Sequence, residues 1–314
     1  MKTSRRDFVI KSALAAAGVA YSYQSVGAAN PAKRKPFNNP TDNEPAKICI
    51  FSRDFKGMGY DEMSAHVATM GFDGIDLTVR PEDHVLPENV ERDLPLAVEA
   101  AKKAGIKIYM ITTDIFEADD KFAEPILKTA SSLGIKYYRM GWRYYNEKKT
   151  VTQNLEDFKT KVGKLVKLNQ KYNIRGEYQN HSGNGFGAAV WDLWEVFKDL
   201  DPQWIRVQYD IFHATVEGAN SWIVGFNLLK PYIGTLDIKD FYWEKKDGKW
   251  DQQLTHLGEG MIDYKKFMAL LKENNMRGPF SLHCEYDMPD LKSKTVEMKK
   301  DLVILRGWLN EAGL

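Results

Sequence analysis

Cysteine is almost missing from this chain: two in 314 residues, too few for a disulfide framework or a four-thiolate zinc site. An excess of either charge is missing too, since 44 Lys and Arg stand against 43 Asp and Glu for a net charge of +1. Nucleic-acid binding draws on a concentrated basic face, so this balance argues against a nucleic-acid partner. The apolar run near the start, Ala13 to Ala20, is far short of the roughly 20 residues of a membrane span. No dinucleotide glycine motif occurs. What is present, 43% hydrophobic and 28% charged residues with 23 Gly and 12 Pro, excludes a coiled coil, a collagen-like chain and a disordered protein. The length exceeds an ordinary domain but matches one large α/β barrel of roughly 250 residues.

The excess length sits at the N-terminus. Residues 4–11 read Ser-Arg-Arg-Asp-Phe-Val-Ile-Lys ahead of the apolar run, and the twin-arginine pair with its Phe and Lys resembles a twin-arginine (Tat) export signal. Val26-Gly27-Ala28 offers small residues for cleavage. Removing residues 1–28 takes away four cations and one anion, which leaves a mature charge of −2. Residues 29–45, rich in Pro, Asn and Lys, read as a flexible leader into a single domain over 46–314. The resemblance implies that the Tat machinery exports the chain already folded, for work in the periplasm. Cys49 and Cys284 could pair in an oxidising compartment, but both lie in apolar strand-like runs, which favours buried free thiols.

From residue 46 onward, short β-rich runs alternate with longer amphipathic stretches. Met70-Gly71-Phe72, Ala104-Gly105-Ile106, Leu133-Gly134-Ile135 and Tyr172-Asn173-Ile174 punctuate them. Each places Gly or Asn where a helix needs a left-handed C-cap, then starts a strand. This spacing predicts strands near 46–51, 73–78, 106–112, 135–140, 174–180, 205–210, 233–239 and 280–285. Helices are predicted near 61–70, 93–104, 122–133, 155–172, 188–199, 220–230, 263–274 and 293–309, with Asn154 and Asp263 as N-caps. Eight strands, each followed by a helix, point to a closed (β/α)8 TIM barrel, with a doubly wound sheet as the alternative.

In such a barrel the chemistry sits at the C-terminal ends of the strands. The fourth strand ends with Arg139 and Trp142, suited to an anionic or polyhydroxyl ligand with a ring to stack. On the fifth, alternation puts Glu177, Gln179 and His181 on one face. The sixth ends with Asp210, three residues before His213. On the seventh, Asp237 and Lys239 share a face, and Trp243 follows shortly. On the eighth, His283 and Glu285 face together while Cys284 points to the helices. Between the last two strands, Gly258-Glu259-Gly260 makes a Gly-flanked loop. Each has a plainer reading: Arg139 paired inside the barrel, Asp210 capping the next turn with His213 as its partner, Gly-Glu-Gly as a simple turn. Five successive strands ending in ionisable residues weigh towards a polar site.

Taken in order, Gln179-Asn180-His181, Asp210 with His213, Lys239-Asp240, Gly258-Glu259-Gly260 and Glu285 resemble the xylose isomerase-like barrels, the sugar phosphate isomerase/epimerase group distantly related to endonuclease IV. The resemblance covers residues 46–310. It implies a divalent ion held by a Glu, an Asp, a His and a Glu from strands five to eight. Carried across, Asp210 and Glu285 take the strand-six and strand-eight positions. Gln179 replaces the strand-five Glu, with Glu177 one pleat deeper, and Asp237 replaces the strand-seven His. The implied metal set is therefore Asp210, Glu285, Asp237 and Glu177, oxygen-rich enough to favour Mn²⁺ or Mg²⁺ over Zn²⁺.

The implied chemistry is proton abstraction next to a carbonyl of a sugar or keto-sugar, giving an enediolate. Glu177, His181 and Glu285 are the expected acid–base groups. Arg139, Trp142, Gln179, His213, Lys239, Trp243, Glu259 and His283 are expected to hold the carbohydrate. A lyase or dehydratase that begins with the same proton transfer is the near alternative. A sugar-binding barrel without catalysis is a further one, kept open by the altered positions 179 and 237. A phosphodiesterase is disfavoured by six His in all and by the acidic mature charge.

Overall fold

The structure is a computed structural model that describes residues 45–314. The stretch expected to be an export signal, and all but the last residue of the expected leader, lie outside the described residues. Eight parallel strands close a barrel: β1 (Ile48–Phe51), β2 (Gly74–Thr78), β3 (Lys107–Thr112), β4 (Tyr137–Arg139), β5 (Arg175–Gln179), β6 (Ile205–Asp210), β7 (Ile233–Ile238) and, after two further strands, β10 (Phe280–Leu282). Around it lie α1 (Tyr60–Met70), α2 (Val90–Lys103), α3 (Ala123–Ser132), α4 (Val151–Tyr172), α5 (Val190–Phe197), α6 (Ile211–Gly218), α7 (Trp222–Leu229), α8 (Tyr264–Glu273) and α9 (Leu291–Ala312). Among the described residues no helix is long and apolar enough to cross a membrane.

The expected punctuation is in place. Gly71 ends α1 at φ 95° and Asn173 ends α4 at φ 50°, both left-handed, which frees the chain to turn back into the next strand. Asp263 caps α8 by accepting from Lys266 N at 3.0 Å. Asn154 is not a cap. Helix α4 begins four residues earlier with a capping box in which Thr150 and Gln153 exchange hydrogen bonds. Asn154 is buried in the first turn and ties down the preceding loop at Asn146 N.

Two elements go beyond the eight units. Helix α6 follows β6 without a loop, so the strand tip becomes the helix N-terminus. An antiparallel hairpin, β8 (Asp240–Lys246) with β9 (Lys249–Thr255), leaves the barrel mouth after β7. Its turn is Asp247-Gly248, both at positive φ, the geometry that two-residue hairpins require.

Apolar faces of strands and helices form one continuous core between barrel and outer layer, with Tyr138, Tyr178, Tyr209 and Phe267 fully buried. The barrel interior is different. Such barrels are ordinarily filled by branched aliphatics, yet hydrogen bonds here skip strands across a polar lumen: Ser281 to Asp76, Thr235 to Glu177 and Gln179 to Asp237. Cys49 and Cys284 are buried free thiols, and Cys284 faces outward to Asp301 of α9.

Candidate active site

Alternation along the strands raises a row of charged side chains to the C-terminal mouth. Arg139, Gln179, Asp210, Asp237 and Lys239 are all inward-facing and at most 4% exposed. Burying so many polar groups is costly unless they satisfy one another, and a dense set of hydrogen bonds and ion pairs links these five. Gln179 takes Arg139 Nη1 on its Oε1 at 3.0 Å and donates Nε2 to Asp210 Oδ2 at 2.9 Å and Asp237 Oδ2 at 2.6 Å. Gln208 Nε2 donates to the other oxygen of Asp237 at 2.6 Å. Lys239 Nζ lies 3.1 Å from Asp210 Oδ2 and 3.4 Å from Glu285 Oε2.

His283 completes this layer. Its ring stacks on Phe51 with centroids 4.6 Å apart, and its two nitrogens face Asp237 and Glu285 at 3.5 Å each. Burial opposes a charge on the ring, but the two carboxylates outweigh it and raise its pKa to about 9. Burial likewise works against Glu285, yet Lys239 and His283 hold its carboxyl well below the usual range. Glu285 is therefore an ionised carboxylate at neutral pH, with its side chain 27% exposed at the mouth.

Asp210 has two jobs. Its Oδ1 accepts from His213 N at 3.2 Å as the N-cap of α6, while Oδ2 belongs to the charged layer. The plainer reading of Asp210 as a cap and the functional one are both realised. Capping also fixes His213 over the site, its Nε2 3.6 Å from Asp210 Oδ2. A row of rings continues from it: His213 to His181 at 3.9 Å and His181 to Trp142 at 4.2 Å. Ser182 hydroxyl meets His213 Nδ1 at 2.8 Å. Burial, then the Lys239 charge, lowers the pKa of His181 to about 4 and that of His213 well below its usual value. Both rings are neutral at pH 7.

Above this layer opens a cavity of about 550 Å³. Arg139, Trp142, Gln179, His181, Lys239 and Glu285 all line it, which is how six of the expected residues come together. Asp210, Asp237, His213 and His283 stand directly behind them. The rim also has Arg53, Lys56, Arg80 and Asp114, which the strand-end reading missed. Arg80 and Asp114 each follow a barrel strand by two residues, so the rule applied to strands four to eight would have found them on strands two and three.

Three expected residues lie elsewhere. Glu177 sits deeper in the lumen, where its carboxylate accepts from Thr235 N at 3.0 Å and from the Thr235 hydroxyl; it does not line the cavity. Burial raises its pKa to about 7. Glu259 is exposed. Its loop wraps the buried carboxylate of Asp240, which accepts from Gly258 N at 3.0 Å and Gly260 N at 3.1 Å. Trp243 stands on the hairpin, 39% exposed and edge-on to Phe241, outside the cavity lining.

The donor chemistry for a metal divides in two. Asp76, Asp237 and His283 bring one ligand atom each within 4.8 Å of the others, a buried set whose spacing is consistent with a divalent ion once the His283 ring has lost its proton. The expected strand-end set fits less well. Glu177 is out of reach in the layer below, and N–H groups already face both oxygens of Asp210, Asp237 and Glu285.

Barrel, strand-end charges and cavity together define an α/β barrel with a polar candidate site at its C-terminal mouth. Residues 64–306 match the xylose isomerase-like TIM barrel family, and the chain belongs to it. Among curated proteins none matches the chain in sequence. Several solved structures share the fold. D-allulose 3-epimerase from Methylomonas sp. is 15% identical with a TM-score of 0.65, over 84% of this chain and 98% of that one. The probable 3-DHS dehydratase involved in petrobactin synthesis, from Bacillus anthracis, is 15% identical with a TM-score of 0.62, over 83% and 98%. A xylose isomerase-like barrel from Mycobacterium smegmatis in complex with magnesium is 16% identical with a TM-score of 0.63, over 84% and 98%. At these identities the likeness is one of fold.

Proposed function

We propose that the protein isomerises or epimerises a sugar or keto-sugar by moving a proton next to its carbonyl. The observation that carries this is the pairing, in one open cavity, of an ionised carboxylate, Glu285, with a fixed cation, Lys239, 3.4 Å away. A carbon acid next to a carbonyl needs a base on the proton and positive charge on the oxygens where the enediolate forms. Glu285 takes the proton. Lys239 and Arg139 hold the carbonyl and hydroxyl oxygens. His181, neutral and cavity-lining, serves as the second proton-transfer group, and Trp142 offers its face to the sugar ring.

A lyase or dehydratase is the second reading. Expelling a hydroxyl needs a proton donor near the leaving oxygen, and His181, packed against His213 with ring centroids 3.9 Å apart, presents an imidazole at the same mouth. The divalent ion implied by the resemblance would find Asp76, Asp237 and His283 close together, but both oxygens of Asp237, like those of the other strand-end carboxylates, are committed to N–H donors. The twin-arginine head supports export of the folded protein to the periplasm, where sugar phosphates are scarce and free sugars the better substrates.

Incubation with a panel of ketoses, aldoses and 3-keto-sugars in D₂O tests the reading. Deuterium at the carbon beside the carbonyl is the expected result, and loss of water from the substrate would select the lyase. Binding of sugar with no exchange in any member would leave the non-catalytic barrel.

A further inference from the structure

We propose that the working cation of this site is the ammonium of Lys239, which stands in place of a divalent ion between the carboxylates of Asp210 and Glu285. A divalent ion needs several oxygen lone pairs converging on one bare point. Here the oxygens of Asp210, Asp237 and Glu285 converge on N–H groups. Asp210 Oδ2 receives Lys239 at 3.1 Å and Gln179 at 2.9 Å, Asp237 Oδ2 receives Gln179 at 2.6 Å, and Glu285 Oε2 faces Lys239 at 3.4 Å. The orientation of Gln179 is set by its surroundings. Arg139 donates to its oxygen at 3.0 Å, so the amide NH₂ must point at the two aspartates.

The departure from the family pattern at position 179 then makes sense. Gln in place of Glu removes one negative charge and supplies a donor, and the compact ammonium of Lys239 fills the space that remains. Only 4% of Lys239 is exposed, and Phe212 lies under its Nζ at 5.0 Å, so little water screens its charge towards the cavity. A tethered cation of this kind cannot be removed by chelators. That it also holds the reacting oxygens rests on the sugar-chemistry reading; its displacement of a metal does not.

The full chain, titrated into Mn²⁺ while the EPR signal of the free ion is followed, tests the proposal without turnover. Wild type in excess should leave the signal undiminished, with Tm unmoved by Mn²⁺ or EDTA. The double variant Lys239→Ala, Gln179→Glu removes the ammonium and the donor amide. It should take up one ion per chain and gain Tm with Mn²⁺. Uptake of one Mn²⁺ per chain by wild type overturns the proposal, and this outcome is decisive even if the double variant does not fold. A folded double variant that ignores Mn²⁺ overturns it as well.

Discussion

Replacing His283 with Gln removes the ring that lies flat on Phe51 and faces Asp237 and Glu285. Burial alone would lower the pKa of this imidazole, but the two carboxylates raise it to about 9 in the folded protein, against about 6.5 in an unfolded chain. A folded pKa above the unfolded one gives stability that is fully present below about pH 6.5 and is lost as the pH rises through about 9. The rise corresponds to about 3 kcal/mol, a large share of a domain's net stability. Urea unfolding of wild type and His283→Gln at about pH 6, 8 and 10 measures it. The gap between the two proteins should be widest at the acid end and shrink by about 3 kcal/mol at the alkaline end. Taking the gap cancels titrations common to both. A gap that stays level across the range would refute the imidazolium and with it the charge balance of the site.

Glu177→Gln should leave kcat and KM within a few-fold of wild type, because its carboxylate serves Thr235 beneath the cavity; a folded variant without activity would restore Glu177 to the site. Gly260→Ala should cost about 2–4 kcal/mol in thermal or urea unfolding, since its Cβ would lie 2.0 Å from Asp240 Oδ1 and 2.5 Å from Phe241 O. By contrast, Glu259→Ala should change stability by less than about 0.5 kcal/mol and leave KM unchanged. The pH profile of kcat/KM should rise with the loss of one proton near 4, the pKa to which burial and Lys239 bring His181. A rise centred near the ordinary imidazole value of about 6.5 would contradict the buried, neutral assignment.

Much of the barrel was readable because its strands and helices obey fixed periods. Strand alternation put Gln179 with His181, Asp237 with Lys239 and His283 with Glu285, and all of these face the lumen or its mouth. Alternation fixes the face of a residue but not its depth. Glu177 and Gln179 share a face, yet two residues along a strand separate them by about 6–7 Å, enough to put one in the cavity wall and the other in the layer below. In the Gly-Glu-Gly motif the acid is the obvious functional candidate, whereas the two flanking glycines carry the structural role, bringing backbone N–H groups onto Asp240. The hairpin had a plain signal in Asp247-Gly248 between aromatic and polar residues, which the expectation of a single helix after each strand hid. Helix α6 has only eight residues, too short for a periodic stripe. Its start was nonetheless written in Asp210, three residues before His213. The ammonium–carboxylate pairing could not be read from spacing, since it depends on the long Lys239 side chain reaching between strands β6 and β10.

The central claim is that Glu285 removes a proton next to a carbonyl while Lys239 faces the developing charge. Its most direct test is the rate of deuterium wash-in from D₂O into an accepted ketose, measured for wild type and for Glu285→Gln by NMR. The account predicts exchange at a carbon adjacent to the carbonyl in wild type, and a drop of about 10²–10⁴-fold in the variant, with its fold confirmed by an unchanged circular dichroism spectrum. Turnover without solvent deuterium in the product, or exchange that Glu285→Gln leaves intact, would contradict it.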